Sequence, residues 1–154
     1  MRSGIGGGVL RMIGLADFTG TWKLSRRIDD RMTGQVGTLD GRAVFRPDGA
    51  GLTCDETGQL RLTGQPPLTA TRRYLWRADA AGIAVLFDDA RPFHRFDPAA
   101  DAPGDSHDCA PDTYVVQYDF TAWPHWTARW AVSGPRKNYI MESCYAPGAG
   151  AETG

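Results

Sequence analysis

Residues 70–87 read ATRRYLWRADAAGIAVLF, two aromatic and β-branched runs separated by a short gap. Successive side chains of a strand point to opposite faces, so the first run places Arg72, Tyr74 and Trp76 together and the second Ile83, Val85 and Phe87. One face of this pair therefore carries indole, phenol, guanidinium and aliphatic groups. Working outward, similar runs recur at roughly the spacing of an all-β domain, and long 3.6-residue periodicity is absent. Strands are expected near Gly20–Ile28, Gly37–Phe45, Gly51–Glu56, Leu60–Leu62, Ala70–Ala78, Ile83–Phe87, Pro92–Asp97, Thr113–Phe120, Trp126–Val132 and Asn138–Tyr145.

Pro47-Asp48-Gly49, Asp40-Gly41, Glu56-Thr57-Gly58 and Ser133-Gly134-Pro135 supply turn chemistry and read as hairpin connections. Residues 98–111, rich in Ala, Asp, Pro and Gly, read as the one long irregular segment, a rim loop or a tolerated insertion. About ten short antiparallel strands must hide their edges, and closing the sheet on itself removes them. The expected fold is an all-β, closed, antiparallel up-and-down barrel of roughly ten strands, lipocalin-like, over residues 15–147. Flexible tails are expected over 1–14 and 148–154, with Met12 an alternative start to Met1.

Alternation divides each strand into two faces, and the inward lists are unusually polar. Trp22, Leu24, Arg26 and Ile28 share one; Leu52, Cys54 and Glu56 another; Tyr114, Val116, Tyr118 and Phe120 a third. Trp126 and Trp130 follow, then Lys137, Tyr139, Met141 and Ser143. Aliphatic side chains fill a small packed barrel, whereas Tyr and Trp with scattered charges make apolar walls with hydrogen-bonding tips, which suits an enclosed ligand. Each polar residue taken alone fits a strand end with its head in water. Their number carries the cavity reading, because burying several unpaired charges costs several kcal/mol each.

Phe18-Thr19-Gly20-Thr21-Trp22-Lys23-Leu24 resembles the first strand of lipocalins and intracellular fatty-acid-binding proteins, where Gly-x-Trp closes the barrel bottom. The wider pattern includes Arg72-Arg73-Tyr74-Leu75-Trp76, Arg91-Pro92-Phe93-His94, His107-Asp108-Cys109 and Gly134-Pro135-Arg136-Lys137-Asn138-Tyr139. It resembles an uncharacterised family of small lipocalin-like, calycin-type barrels of bacteria and fungi. Lys137-Asn138-Tyr139 has the spacing of the Arg-x-Tyr pair that holds the ligand carboxylate in fatty-acid-binding proteins, with Lys replacing Arg. Lysine is a point charge without the planar fork, so a smaller anionic ligand is implied.

The leading expectation is a small-molecule-binding protein for an anionic or aromatic metabolite. Its ligand-binding candidates are Arg26, Arg72, Tyr74, Trp76, Tyr114, Tyr118, Trp130, Lys137 and Tyr139. A lyase or isomerase acting in the same cavity is the alternative. Either His94, oriented by Asp89 or Asp112, does the acid–base work, or Arg and Lys hold a carboxylate while Glu56 and Tyr118 or Tyr139 transfer protons. A structural or interaction module with a filled core is the third reading.

Other classes fit less well. With 17 Lys+Arg against 18 Asp+Glu the net charge is −1, so no basic field draws in nucleic acid or anionic lipid. Three cysteines, Cys54, Cys109 and Cys144, lack metal-finger spacing and read as reduced thiols of a cytoplasmic protein. His94, His107, Cys109 and Asp112 have no diagnostic zinc spacing, so no metal is expected. The glycines of residues 4–8 precede no strand-to-helix turn, so no nucleotide cofactor is expected, and no nucleophile elbow or signal-peptide core is present.

Overall fold

The computed structural model describes residues 12–148. The expected tails, with the residue 4–8 glycines and the choice of Met1 or Met12 as start, lie largely outside the described residues. Ile13, placed in the N-terminal tail by sequence, is buried in the core, so packing begins before Leu15.

Among the described residues a 3-10 turn, Leu15–Phe18, precedes ten strands: β1 Gly20–Asp30, β2 Val36–Pro47, β3 Leu52–Leu62, β4 Leu68–Asp79, β5 Gly82–Phe87, β6 Pro92–Phe96, β7 Gly104–Cys109, β8 Asp112–Asp119, β9 Trp126–Gly134 and β10 Lys137–Pro147. Their order is β6-β5-β4-β3-β2-β1-β10-β9-β8-β7, antiparallel throughout, with β1 pairing β10 from Trp22↔Pro147 to Asp30↔Tyr139. The outer strands β6 and β7 meet without a backbone ladder; the Arg95 amide donates to Asp105 Oδ2 across that seam (2.7 Å). The barrel is thus all-β, up-and-down and nearly closed. Among the described residues no helix is long and apolar enough to cross a membrane.

One end is plugged by aromatic rings. Phe18 is fully buried and touches Phe45, Trp76, Phe96, Phe120, Trp123 and Trp126 with centroids 5.1–6.5 Å apart. The Trp22 indole lies in the same plug and donates to the Phe18 carbonyl (2.8 Å), which ties β1 to the turn before it. Edge-to-face contacts of this kind add to simple area burial.

Three sequence expectations change. Residues 51–62, read as two strands, form the single strand β3, because Glu56-Thr57-Gly58 continues the ladder opposite Gly41, Arg42 and Ala43 of β2. Asp40-Gly41 likewise lies within β2, not in a turn. The irregular segment 98–111 contains β7, whose Asp, Ser and His residues have low strand propensity but pair along one side of β8. By contrast Pro47-Asp48-Gly49 does form a turn, with Gly49 at φ +89° and Asp48 Oδ1 accepting the Ala50 and Gly51 amides.

Gly41 and Gly58 sit directly opposite one another at the closest approach of β2 and β3. A Cβ at Gly41 would collide with the Thr57 carbonyl, and one at Gly58 would press on Leu39 and the Asp40 carbonyl. Glycine in a barrel strand marks such a bend, and here it lets the long strands coil around the interior. Wall height is uneven: β1–β4 run 11 or 12 residues, whereas β5, β6 and β7 run 6, 5 and 6. Because β5 pairs β4 only from Tyr74 onward, residues 68–73 stand above the low wall and the mouth slants over it.

Gly41→Ala should destabilise the fold by about 2–4 kcal/mol, the range of strongly disruptive substitutions, because backbone rather than a flexible side chain blocks the new methyl. Urea unfolding of wild type and variant measures this, with the exposed Asp40→Ala as a control expected within about 0.5 kcal/mol.

Candidate functional site

Between the plug and the slanted mouth lies a cavity of about 350 Å³. All of the sequence-derived candidates line it: Arg26, Glu56, Arg72, Tyr74, Trp76, His94, Tyr114, Tyr118, Trp130, Lys137 and Tyr139. Strand alternation brings them there from β1, β3, β4, β6, β8, β9 and β10. Trp76 also belongs to the plug, packing against Phe18, Phe45 and Phe96.

Midway down, a buried polar network crosses the interior. Arg26 Nη2 pairs with Glu56 Oε1 (3.0 Å), Arg26 Nε donates to Ser143 Oγ (2.7 Å), and Tyr145 donates to Glu56 Oε2 (2.9 Å). Burial opposes the Arg26 charge, but the neighbouring Tyr145 phenol and Glu56 carboxylate outweigh it and hold the guanidinium above its ordinary value. Burial, then the Glu56 charge, push the Tyr74 phenol up to about 12, and burial raises the Cys54 thiol and the Tyr145 phenol well above their usual values. These groups stay protonated at neutral pH. Both Glu56 oxygens already accept hydrogen bonds, so the carboxylate expected to carry protons is committed to structure.

At the mouth, Lys137 Nζ lies 3.2 Å from the Tyr114 hydroxyl and 3.2 Å from Asp112 Oδ2; the hydrogen bonds to Tyr114 and Asp112 raise its pKa. Arg72, opposite Glu56 in the β3–β4 register, has no hydrogen bond or ion pair among the described residues. It stands on the stretch of β4 that β5 leaves uncovered. Its neighbour Arg73, facing outward, is spent on Asp55 (2.6 Å).

The low wall is a stack of rings. Phe93 lies parallel to Trp130 (4.9 Å, 5°) and close to Phe87 (4.5 Å, 26°) and Tyr74 (5.9 Å, 16°). Phe93 was absent from the sequence-derived set because strict alternation sends only one of Phe93 and His94 inward. The register shift between β5 and β6 at Val85/Leu86 makes Phe93 an extra residue, and both side chains are buried. Tyr145, also missed, was legible one step beyond Ser143 on the inward face of β10.

The expected acid–base pair is not formed. Asp89 is bonded to Arg91 and Asp112 to Lys137, while His94 Nε2 lies 2.7 Å from the Tyr118 hydroxyl. Burial lowers the His94 pKa to about 3 and raises that of Tyr118 well above its usual value, so neither titrates near neutrality. Among the described residues His94 Nδ1 and Trp126 Nε1 are buried without a partner, each a desolvation cost of about 1–3 kcal/mol. Trp126 cannot swivel to find one, being stacked face to face on Tyr145 (3.8 Å, 6°). Among the described residues no three His, Cys, Asp or Glu side chains are grouped to hold a metal ion.

Residues 18–147 match the model of DUF6314, a family of unknown function, and the chain belongs to that family. No curated protein matches it. Among solved structures, the S-type phycobiliprotein lyase CPES from Guillardia theta has the same architecture. Its TM-score is 0.53 at 7% identity, over 85% of this chain and 87% of that one.

The neutral His94 makes stability pH-dependent. Its folded pKa of about 3 lies below the unfolded value near 6.5, so its contribution is complete above about pH 6.5 and is lost as pH falls toward 3. Urea titrations from pH 7 to 4 should show wild type losing on the order of 2–3 kcal/mol more than His94→Phe, and parallel curves would refute the assignment.

Proposed function

We propose that this member of DUF6314 binds a small monoanionic ligand with a flat aromatic body, the body inside the barrel and the anionic group at Arg72. The carrying observation is one unspent positive charge in an otherwise balanced cavity. Arg26 is paired by Glu56 and Lys137 by Asp112, whereas Arg72 has no hydrogen bond or ion pair among the described residues. Its planar fork suits a carboxylate or similar oxyanion. The volume, about 350 Å³, falls at the small end of ligand sites, and Phe93, Trp130 and Phe87 offer ring faces for stacking.

The part of the fatty-acid-binding pattern that holds the ligand anion, Lys137-Asn138-Tyr139, contributes less than Arg72, since Lys137 is occupied by Tyr114 and Asp112. A lyase or isomerase role, which the name of the structural neighbour brings to mind, has weaker support. It needs a group that exchanges protons near neutral pH, and His94, Tyr118 and Glu56 are each held in one state or committed to partners. A purely structural role leaves the cavity and the free Arg72 without a purpose.

Titration calorimetry with aromatic monocarboxylates of one or two rings should give micromolar binding to wild type, with weaker binding of the matching primary amides. Arg72→Ala should weaken carboxylate binding about 10- to 100-fold, the worth of a hydrogen bond to a charged group, and Arg72→Lys should restore only part. No heat with any carboxylate, or equal binding of acid and amide, would overturn the reading.

A further inference from the structure

We infer that the ligand carries, besides its anionic group, a neutral hydrogen-bond acceptor such as a carbonyl oxygen, taken midway down the barrel by Arg26 Nη1 and the Tyr74 hydroxyl. This rests on the binding reading above and adds the class of ligand, an aromatic acid with an oxo substituent.

Arg26 is pinned through two of its three nitrogens. Nε donates to Ser143 Oγ (2.7 Å) and Nη2 to Glu56 Oε1 (3.0 Å), which together fix the plane of the guanidinium. Nη1 has no partner among the described residues, yet the side chain keeps 12% of its surface exposed where it lines the cavity. The unpartnered polar atoms shut away from water among these residues are His94 Nδ1 and Trp126 Nε1, and Arg26 Nη1 is not one of them. Its two hydrogens therefore face space that a ligand can enter. A guanidinium nitrogen can only donate, so the group it takes is an acceptor.

Tyr74 adds a second open donor. It lies diagonally across the β3–β4 ladder from Glu56 and lines the cavity, and its hydroxyl also lacks a partner among the described residues without being sealed. Burial and the Glu56 charge keep that phenol protonated, and its ring is held nearly parallel to Phe93 (16°). A neutral acceptor suits this level better than a second anion. Glu56 already offsets Arg26, so an anion there would add an uncompensated buried charge beside a carboxylate. Sites built around fixed donors discriminate strongly against analogues that leave those donors unpaired.

The test uses two isosteric pairs, 4-acetylbenzoate with 4-isopropenylbenzoate and 6-acetyl-2-naphthoate with 6-isopropenyl-2-naphthoate, each differing only in C=O against C=CH2. By calorimetry wild type should bind the acetyl member of at least one pair about tenfold or more tightly. Tyr74→Phe should narrow that preference about two- to tenfold. Arg26→Met combined with Glu56→Gln, which removes both buried charges together and leaves Tyr145 an acceptor, should abolish it. Side-chain nitrogen–proton spectra of arginine give a readout that needs no variant: the Arg26 Nη1 signals should move with the acetyl compound and not with its isostere. Terephthalate, anionic at both ends, should bind more weakly than 4-acetylbenzoate, and the reverse order would overturn the neutral acceptor. Equal affinities in both pairs with unmoved Arg26 signals would overturn this inference alone. Failure of all the compounds to bind would overturn it together with the reading it rests on.

Discussion

The ion pair between Arg26 and Glu56 is the constraint around which the interior is arranged. It joins β1 to β3 across the intervening β2, and through Ser143 and Tyr145 it also engages β10. A charge pair taken out of water is not in itself a strong source of stability, and its value depends on every remaining lone pair and proton being met. Here Ser143 takes the Arg26 Nε–H, and Arg26 and Tyr145 donate to the two Glu56 oxygens, all at 2.7–3.0 Å. The consequence is positional. Tyr145, held by its hydroxyl, fixes the plane of Trp126, and that indole is the lid of the aromatic plug. Apolar packing below and polar groups above thus meet at one level, and the cavity begins there.

Closure is achieved differently on the two sides of the barrel. Between β1 and β10 a long antiparallel ladder seals the wall. Between β6 and β7 no ladder forms, and the gap is covered by the Arg95 amide to Asp105 bond outside and by rings from both sides inside, with Phe93 against Trp130 and His107. The short β5–β7 wall therefore relies on side-chain packing where the long wall relies on backbone hydrogen bonds. It also lowers the rim on the side that exposes Arg72. The same feature that leaves the sheet imperfectly closed leaves the Arg72 side chain exposed at the rim.

Charge balance separates groups that hold the structure from groups available to a guest. Glu56, Lys137, Asp112 and Arg26 all line or border the cavity, and each is committed to a partner. Among the described residues Arg72 has no hydrogen bond or ion pair and stands exposed at the mouth, whereas the unpartnered nitrogens of Trp126 and His94 are sealed within the packing.

Much of this was readable from residue order alone, because strand alternation has a period of two and side chains cannot leave their face without a bulge. The inward faces carrying Arg26, Glu56, Arg72, Tyr118 and Lys137 follow from that rule; the barrel class came from the need to hide strand edges, and the Trp22 plug from the resemblance of the first strand to lipocalins and fatty-acid-binding proteins. Where the rule breaks, pairing decides: the bulge that brings Phe93 in beside His94, the β7 strand of poor intrinsic propensity, and the facing glycines Gly41 and Gly58 that look like turns but are bends within a ladder. Partnership was beyond reach of the linear pattern altogether. Whether a guanidinium is spent on a carboxylate, or a histidine is neutral because it is dry, depends on residues tens of positions away, such as Glu56 for Arg26 and Tyr118 for His94. Local chemistry determines which way a side chain points; only the closed sheet determines what it meets.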